Sequence, residues 1–128
     1  MREILFRGKR IDNGEWVEGS FVNLWMVNYK KYQPLITDNK AISYEIDPET
    51  IGQYTGLTDK NGKRIFEGDI VRLYGGEEYE WVAKVGMKSG CWVVFSENDW
   101  DFLAVNIKPC EVIGNTHDNP ELLRGECT

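Results

Sequence analysis

The chain is 128 residues long, carries a net charge of −6 and is 41% apolar, with five Trp, six Tyr and five Phe. That length suits one ordinary domain or two small lobes sharing a core, and that aromatic content excludes a disordered chain. The acidic balance disfavours duplex DNA as a partner, and no apolar run approaches the roughly 20 residues of a membrane span.

The charge is unevenly placed. Residues 1–33 hold six basic and four acidic side chains, net +2, whereas residues 34–128 hold nine and seventeen, net −8. The cluster Arg7, Lys9 and Arg10 reads as the solvated face and turn of a first strand. The cysteines Cys91, Cys110 and Cys127 show no paired spacing. Their odd number, and the lack of an apolar signal core in MREILFRGKR, point to a reducing cytoplasm.

Glu3 to Arg10 alternates as a strand, and Asp12-Asn13-Gly14 is a turn. Trp16 to Met26 is a second, longer strand that forms a hairpin with the first. Gly19 marks a bulge or crossing within it, with the alternation shifting by one residue. Tyr29–Ile36 and Ala41–Ile46 are extended pieces joined by the turn Thr37-Asp38-Asn39-Lys40. Pro34 places the first of these at a sheet edge, because proline donates no ladder hydrogen bond. Asp47 caps a helical turn opened by Pro48.

YTGLTDKNGKRIFEGDIV, Tyr54 to Val71, then divides the chain. Asp59 bonds backbone amides a few residues on, and Asn61-Gly62 supplies the positive φ of a tight turn. Glu67-Gly68-Asp69 makes a second bend before an extended run, Ile70–Tyr74. Gly75-Gly76 is a turn, followed by a strand Tyr79–Met87 that sets Trp81, Ala83 and Val85 on one face. Ser89-Gly90 turns into a buried strand, Cys91–Phe95. Phe102–Val105 is a short strand, Ile107 leads to Pro109, and Glu111–Gly114 is the last strand. Asp118 or Asn119 caps a short helix that starts at Pro120 and docks through Leu122 and Leu123. So many short strands against one short helix predict a mainly β, antiparallel architecture.

Few residues carry a chemical signal. His117 beside Asp118 could act as a general base, but a lone imidazole with no nucleophile motif fits a capping segment better. Cys91 reads as a small core residue in an apolar strand. The cysteines and His117 lack the spacing of a zinc site. Glu97, Asp99 and Asp101 have the alternate spacing that can converge on a hard cation, yet lack the glycine and distant glutamate of a calcium loop, and read as a solvated acidic loop. Glu77, Glu78 and Glu80 read as a charged hairpin tip. Asp59 and Asp69 could pass for paired carboxylates, but turn chemistry accounts for each. No catalytic, cofactor or metal set emerges, so the chain is not expected to be an enzyme. Five tryptophans are hard to bury in so small a β protein. Trp25 and Trp100 are the candidates for exposure and for contact with a protein partner.

TGLTDKNGKRIFEGDIV, followed some forty residues later by EVIGNTHDNPELL, resembles the YopX family of phage and prophage proteins, and MREILFRGKRIDNGEW fits its first hairpin. The resemblance covers nearly the whole chain. Thr116 departs from it, where an aliphatic residue is expected, and this bears on the packing of the last turn. The turn at Asp59–Gly62 divides the chain into an antiparallel β-meander lobe at residues 1–62 and a second lobe with the short C-terminal helix at residues 63–128. The resemblance implies that this C-terminal half is a small SH3-like barrel. It also implies a phage or prophage origin and a bacterial host cytoplasm, and it brings no activity with it. The expected function is a non-enzymatic protein–protein interaction module of unknown partner, able to form a homo-oligomer. The alternative is a nucleic-acid-binding module using the barrel, its stacking aromatics and the basic first hairpin.

Overall fold

A computed structural model of the chain describes residues 4–74, 80–97, 99–106 and 110–124. Glu3, Gly75 to Tyr79, Asn98, Ile107 to Pro109 and Cys127 therefore lie outside the described residues, with the turn, Glu77 and Glu78 of the charged tip, and the connection expected there. Glu80 of that tip opens a strand, Glu80–Lys88. The chain divides into two compact units, Met1–Tyr54 and Thr55–Thr128.

The first unit is an antiparallel meander. β1 (Phe6–Lys9) pairs with β2 (Trp16–Met26), with Phe6 opposite Gly19 and Lys9 opposite Trp16. β2 continues past β1 and pairs with β3 (Lys31–Thr37) along seven residues. β3 pairs in turn with the short β4 (Ser43–Glu45). β1 also pairs with the start of β5 (Gly52–Thr58), through Phe6–Gln53 and Arg7–Gly52. Ile36 and Ile46 are fully buried in this unit.

Gly19 is a crossing and not a bulge. The register runs without a shift through its pairing with Phe6 and through Ser20–Thr37 beside it. A Cβ on Gly19 would fall 2.0 Å from the backbone oxygen of Thr37, so the close approach of two strands dictates the glycine.

Pro34 does not lie on an edge strand. β3 is flanked by β2 and β4. The missing donor falls just beyond the β4 ladder, where Pro34 O accepts Ile46 N–H at 3.0 Å. The buried Gln33 side chain fills the gap: its Nε2 donates to Ile46 O at 3.4 Å and to Pro34 O at 3.1 Å. A neighbouring amide thus supplies the donor that proline lacks, and the strand stays internal. The Asp47 cap forms as expected: its carboxylate accepts Glu49 N–H at 3.1 Å at the head of a 3₁₀ turn, Pro48–Thr50.

In the second unit the end of β5 neighbours β6 (Arg64–Phe66), and the two are joined by the Asp59–Gly62 turn. An open five-stranded antiparallel sheet follows, ordered β10-β9-β8-β7-β11. Its members are β7 (Asp69–Tyr74), β8 (Glu80–Lys88), β9 (Cys91–Phe95), β10 (Trp100–Phe102) and β11 (Glu111–Asn115). One face carries the main core cluster, and Ile70 and Val93 are buried on the other. Val71, Leu73, Ala83, Val85 and Val94 cluster on the first face with Ile65, Leu103 and Cys110, and Trp81 and Trp92 pack against them. The period-2 alternation expected for Trp81, Ala83 and Val85 is the alternation observed.

Three expectations are corrected. The strand expected at Phe102–Val105 ends at Phe102, because Leu103 is fully buried and Asn106 N–H returns to Leu103 O at 3.0 Å to close a 3₁₀ turn, Ala104–Asn106. Cys91 is exposed at the first residue after the Ser89-Gly90 turn, and Cys110 is the core thiol instead. The segment Pro120–Arg124 is 3₁₀ and is one of four such turns among the described residues. Asn119 Oδ1 is held by Asn115 N–H at 3.3 Å, and Leu123 stays partly exposed beside β8. Thr116, the departure from the family pattern, donates its N–H to Gly68 O at 2.9 Å. Among the described residues no helix is long and apolar enough to cross a membrane.

Candidate interaction surface

Trp25 lies near the end of the β2–β3 hairpin, opposite Tyr32, with ring centroids 4.9 Å apart. It is 48% exposed, and Tyr32 is 60% exposed. Val22 and Leu24 are exposed on the opposite face of the same strand, and Val27 and Tyr29 are exposed in the 3₁₀ turn Val27–Tyr29 that links the strands. The hairpin end is therefore apolar on both faces. A two-stranded ribbon has no layer of its own to cover either face. From Ser20 to Thr37 the sequence holds Lys30 and Lys31 and no acidic residue, within a chain of net charge −6. Lys31 Nζ lies 6.0 Å from the centre of the Tyr29 ring.

The sequence pointed to Trp25 and not to its neighbours. The signal for the rest is the run Phe21 to Val27, FVNLWMV, which is apolar at both phases of a strand. A half-buried strand would alternate.

Trp100 belongs to the second unit, on β10, the outer strand of its sheet. It is 42% exposed, packs edge-on to Phe102 at 5.4 Å, and has Lys88 Nζ 5.2 Å from its ring centre.

The polar residues singled out from the sequence are held by backbone. Asp59 is 6% exposed; its Oδ1 accepts the N–H groups of Asn61 and Lys63, and its Oδ2 that of Val112, each at 2.9 Å. Burial is the largest influence on its acidity and pushes upward, but the three N–H donors with Lys63 outweigh it and leave the carboxyl below its ordinary value. Asp69 is 1% exposed and accepts Phe66 N–H at 2.8 Å. Cys110 lies in the core; burial, then the negative charges of Asp59 and Asp69, push its thiol up to about 12, so it stays protonated and is no nucleophile at neutral pH.

His117 is exposed, and its N–H and that of Asp118 both donate to Asn115 Oδ1, at 3.0 and 2.9 Å. Asp99 and Asp101 each accept the N–H of the residue that follows. Among the described residues no three His, Cys, Asp or Glu side chains are grouped to hold a metal. A cleft of about 350 Å³ is lined by Val82, Lys84, Phe95, Ser96, Glu97 and Leu123.

No curated protein matches the chain. Among solved structures it is similar to the crystal structure of protein EF1440 from Enterococcus faecalis, at 25% sequence identity and a TM-score of 0.60, over 96% of this chain and 99% of that one. The model of the YopX protein family matches residues 5–124. With the match running from the first strand to the last 3₁₀ turn, the chain belongs to the YopX family.

Proposed function

We propose that the protein is a non-enzymatic protein–protein interaction module, acting as an accessory protein of a phage or prophage in the bacterial cytoplasm. The observation that carries this reading is the doubly apolar end of the β2–β3 hairpin around Trp25 and Tyr32. The partner is a protein surface with an apolar recess rimmed by acidic groups. Trp25 and Tyr32 fill the recess, and Lys30 and Lys31 meet the rim. A homo-oligomer joined hairpin to hairpin would set the lysines of one copy against those of the other. The charge therefore favours a different protein over a second copy.

The test is affinity capture with wild type, Trp25→Asp and Lys30→Glu/Lys31→Glu, with Trp100→Ala as a control surface. The reading expects an acidic partner held by wild type and by Trp100→Ala, and released by both hairpin variants. A partner retained equally by all four proteins overturns it. Sedimentation of the same proteins shows whether a second copy occupies the hairpin.

The second reading is a nucleic-acid-binding module. It draws support from the strand order of the five-stranded sheet and the 3₁₀ turn before its last strand, which an SH3-like barrel would share. Stacking of bases on Trp25 and Tyr32 beside two lysines would supply the contacts. The net charge of −6 works against it. Titration with labelled single-stranded oligonucleotides at low salt decides between the two readings.

A further inference from the structure

β10 ends the five-stranded sheet, and three of its four outward backbone groups are met by side chains of the strand and its flanks. Asp101 pairs with Val94, and Leu103 N–H donates to Trp92 O, so the N–H and C=O groups of Trp100 and Phe102 point away from β9. Trp100 N–H donates to Asp99 Oδ1 at 2.9 Å, and Phe102 N–H to Asp101 Oδ1 at 2.8 Å. Asn106 Nδ2 donates to Phe102 O at 2.9 Å and to Asp101 Oδ2 at 3.1 Å. The alternate spacing of Asp99 and Asp101, read from the sequence as that of a solvated acidic loop, is thus the spacing of the outward N–H groups on a strand.

The side chains of β10 divide by face. Trp100 and Phe102 lie together on one face, both more than two-fifths exposed, and Asp101 is exposed on the other. An added strand would meet two aromatic rings on one side and a carboxylate on the other. A second copy adding antiparallel about Asp101 would set that carboxylate opposite its own equivalent, which destabilises the pair.

We propose that β10 is a guarded docking edge for an extended peptide strand that alternates apolar and basic residues, a surface distinct from the hairpin end. Apolar side chains of the peptide pack on Trp100 and Phe102. Its basic side chain lies opposite Asp101. As the strand adds, the carboxylates of Asp99 and Asp101 exchange backbone N–H for the peptide's cation. The freed N–H groups of Trp100 and Phe102 then take the peptide's carbonyls. The same carboxylates exclude a second copy, so the guard that blocks self-association also selects the partner.

The probe is a seven-residue, end-blocked peptide alternating valine and lysine, compared with its valine–glutamate counterpart, read by amide chemical shifts of the wild-type protein. Shifts centred on the Trp100 and Phe102 amides are expected with the lysine peptide, at least roughly ten-fold stronger in affinity than with the glutamate peptide. Asp101→Lys should invert that preference. Asp101→Val should add a concentration-dependent dimerisation step to whatever mass the wild type shows. Equal response to both peptides, no response at the two amides up to about 1 mM, or an unchanged mass for Asp101→Val would each overturn the proposal.

Discussion

Asp59 Oδ2 accepts the backbone N–H of Val112 at 2.9 Å across 53 residues of sequence. The same carboxylate closes its own turn through Asn61 and Lys63, and Lys60 N–H donates to Cys110 O at 3.0 Å. One side chain therefore ties the β5–β6 turn to the start of the last strand. Asp59→Ala leaves three N–H groups without their acceptor in a nearly buried place. A loss of about 3 kcal/mol is expected, from roughly 1 kcal/mol per bond. Asp59→Asn keeps one acceptor oxygen and should lose less. Urea denaturation of both variants measures this, and an alanine variant as stable as wild type would refute the tie.

The same carboxyl sets an acid limit. Its acidity in the folded chain is shifted below the ordinary 3.8. The stability it contributes is therefore fully present above that value and is lost as the pH falls through the lower folded value. Stability should be flat in this contribution from neutral pH down to about pH 5 and fall steeply below pH 4. Asp59→Asn should be less stable at neutral pH and show a shallower acid slope. Parallel slopes for the two proteins would place the acid sensitivity elsewhere.

Cys110 predicts the opposite limb. Its folded value of about 12 stands above the ordinary 9.0, so the stability it contributes is present below pH 9 and declines as the pH rises towards 12. At neutral pH its thiol is protonated and shielded, whereas Cys91 is exposed. Iodoacetamide followed by peptide mass mapping should label Cys91 at least roughly a hundred-fold faster than Cys110. Comparable rates in the native protein would show that the core is open.

Gly19→Ala tests the strand crossing. Its Cβ would fall within 2.0 Å of Thr37 O, and a backbone oxygen cannot move aside as a flexible side chain can. A cost of at least ~2 kcal/mol is expected. Gly14→Ala is the comparison: a Cβ there meets nothing within 4 Å, and only the strain of φ +72° opposes it. Thermal melts in which Gly19→Ala is the milder of the two would contradict the crossing.

Gln33 and Pro34 form a coupled pair. Gln33→Leu removes the donor to Ile46 O and should cost about 1–2 kcal/mol. In a Pro34→Ala background the new backbone N–H can take that carbonyl, and the same Gln33→Leu change should cost less. A double-mutant cycle by chemical denaturation reads the coupling, and strict additivity would sink it.

The sequence by itself determined the local chemistry. The period-2 alternation of Trp81, Ala83 and Val85 marked a core face, because a strand's geometry fixes which side chains share a side. Asp47-Pro48 marked a capped turn, and Asp59 with Asn61-Gly62 marked another, because these residues bond or permit backbone within a few positions. The family motifs lie in the same short stretches. Pro34 misled, because the compensating donor is a neighbour's side chain and the consequence depends on where β4 ends. Cys91 misled for a similar reason. Composition marks a thiol as buried or exposed only on average, whereas the register of a hairpin decides it. The Asp59–Val112 bond, the apolar hairpin end and the carboxylates that close β10 all depend on which strands meet. That pairing is set by the summed burial of side chains distant in sequence, which no single stretch encodes, so only the tertiary structure decided it.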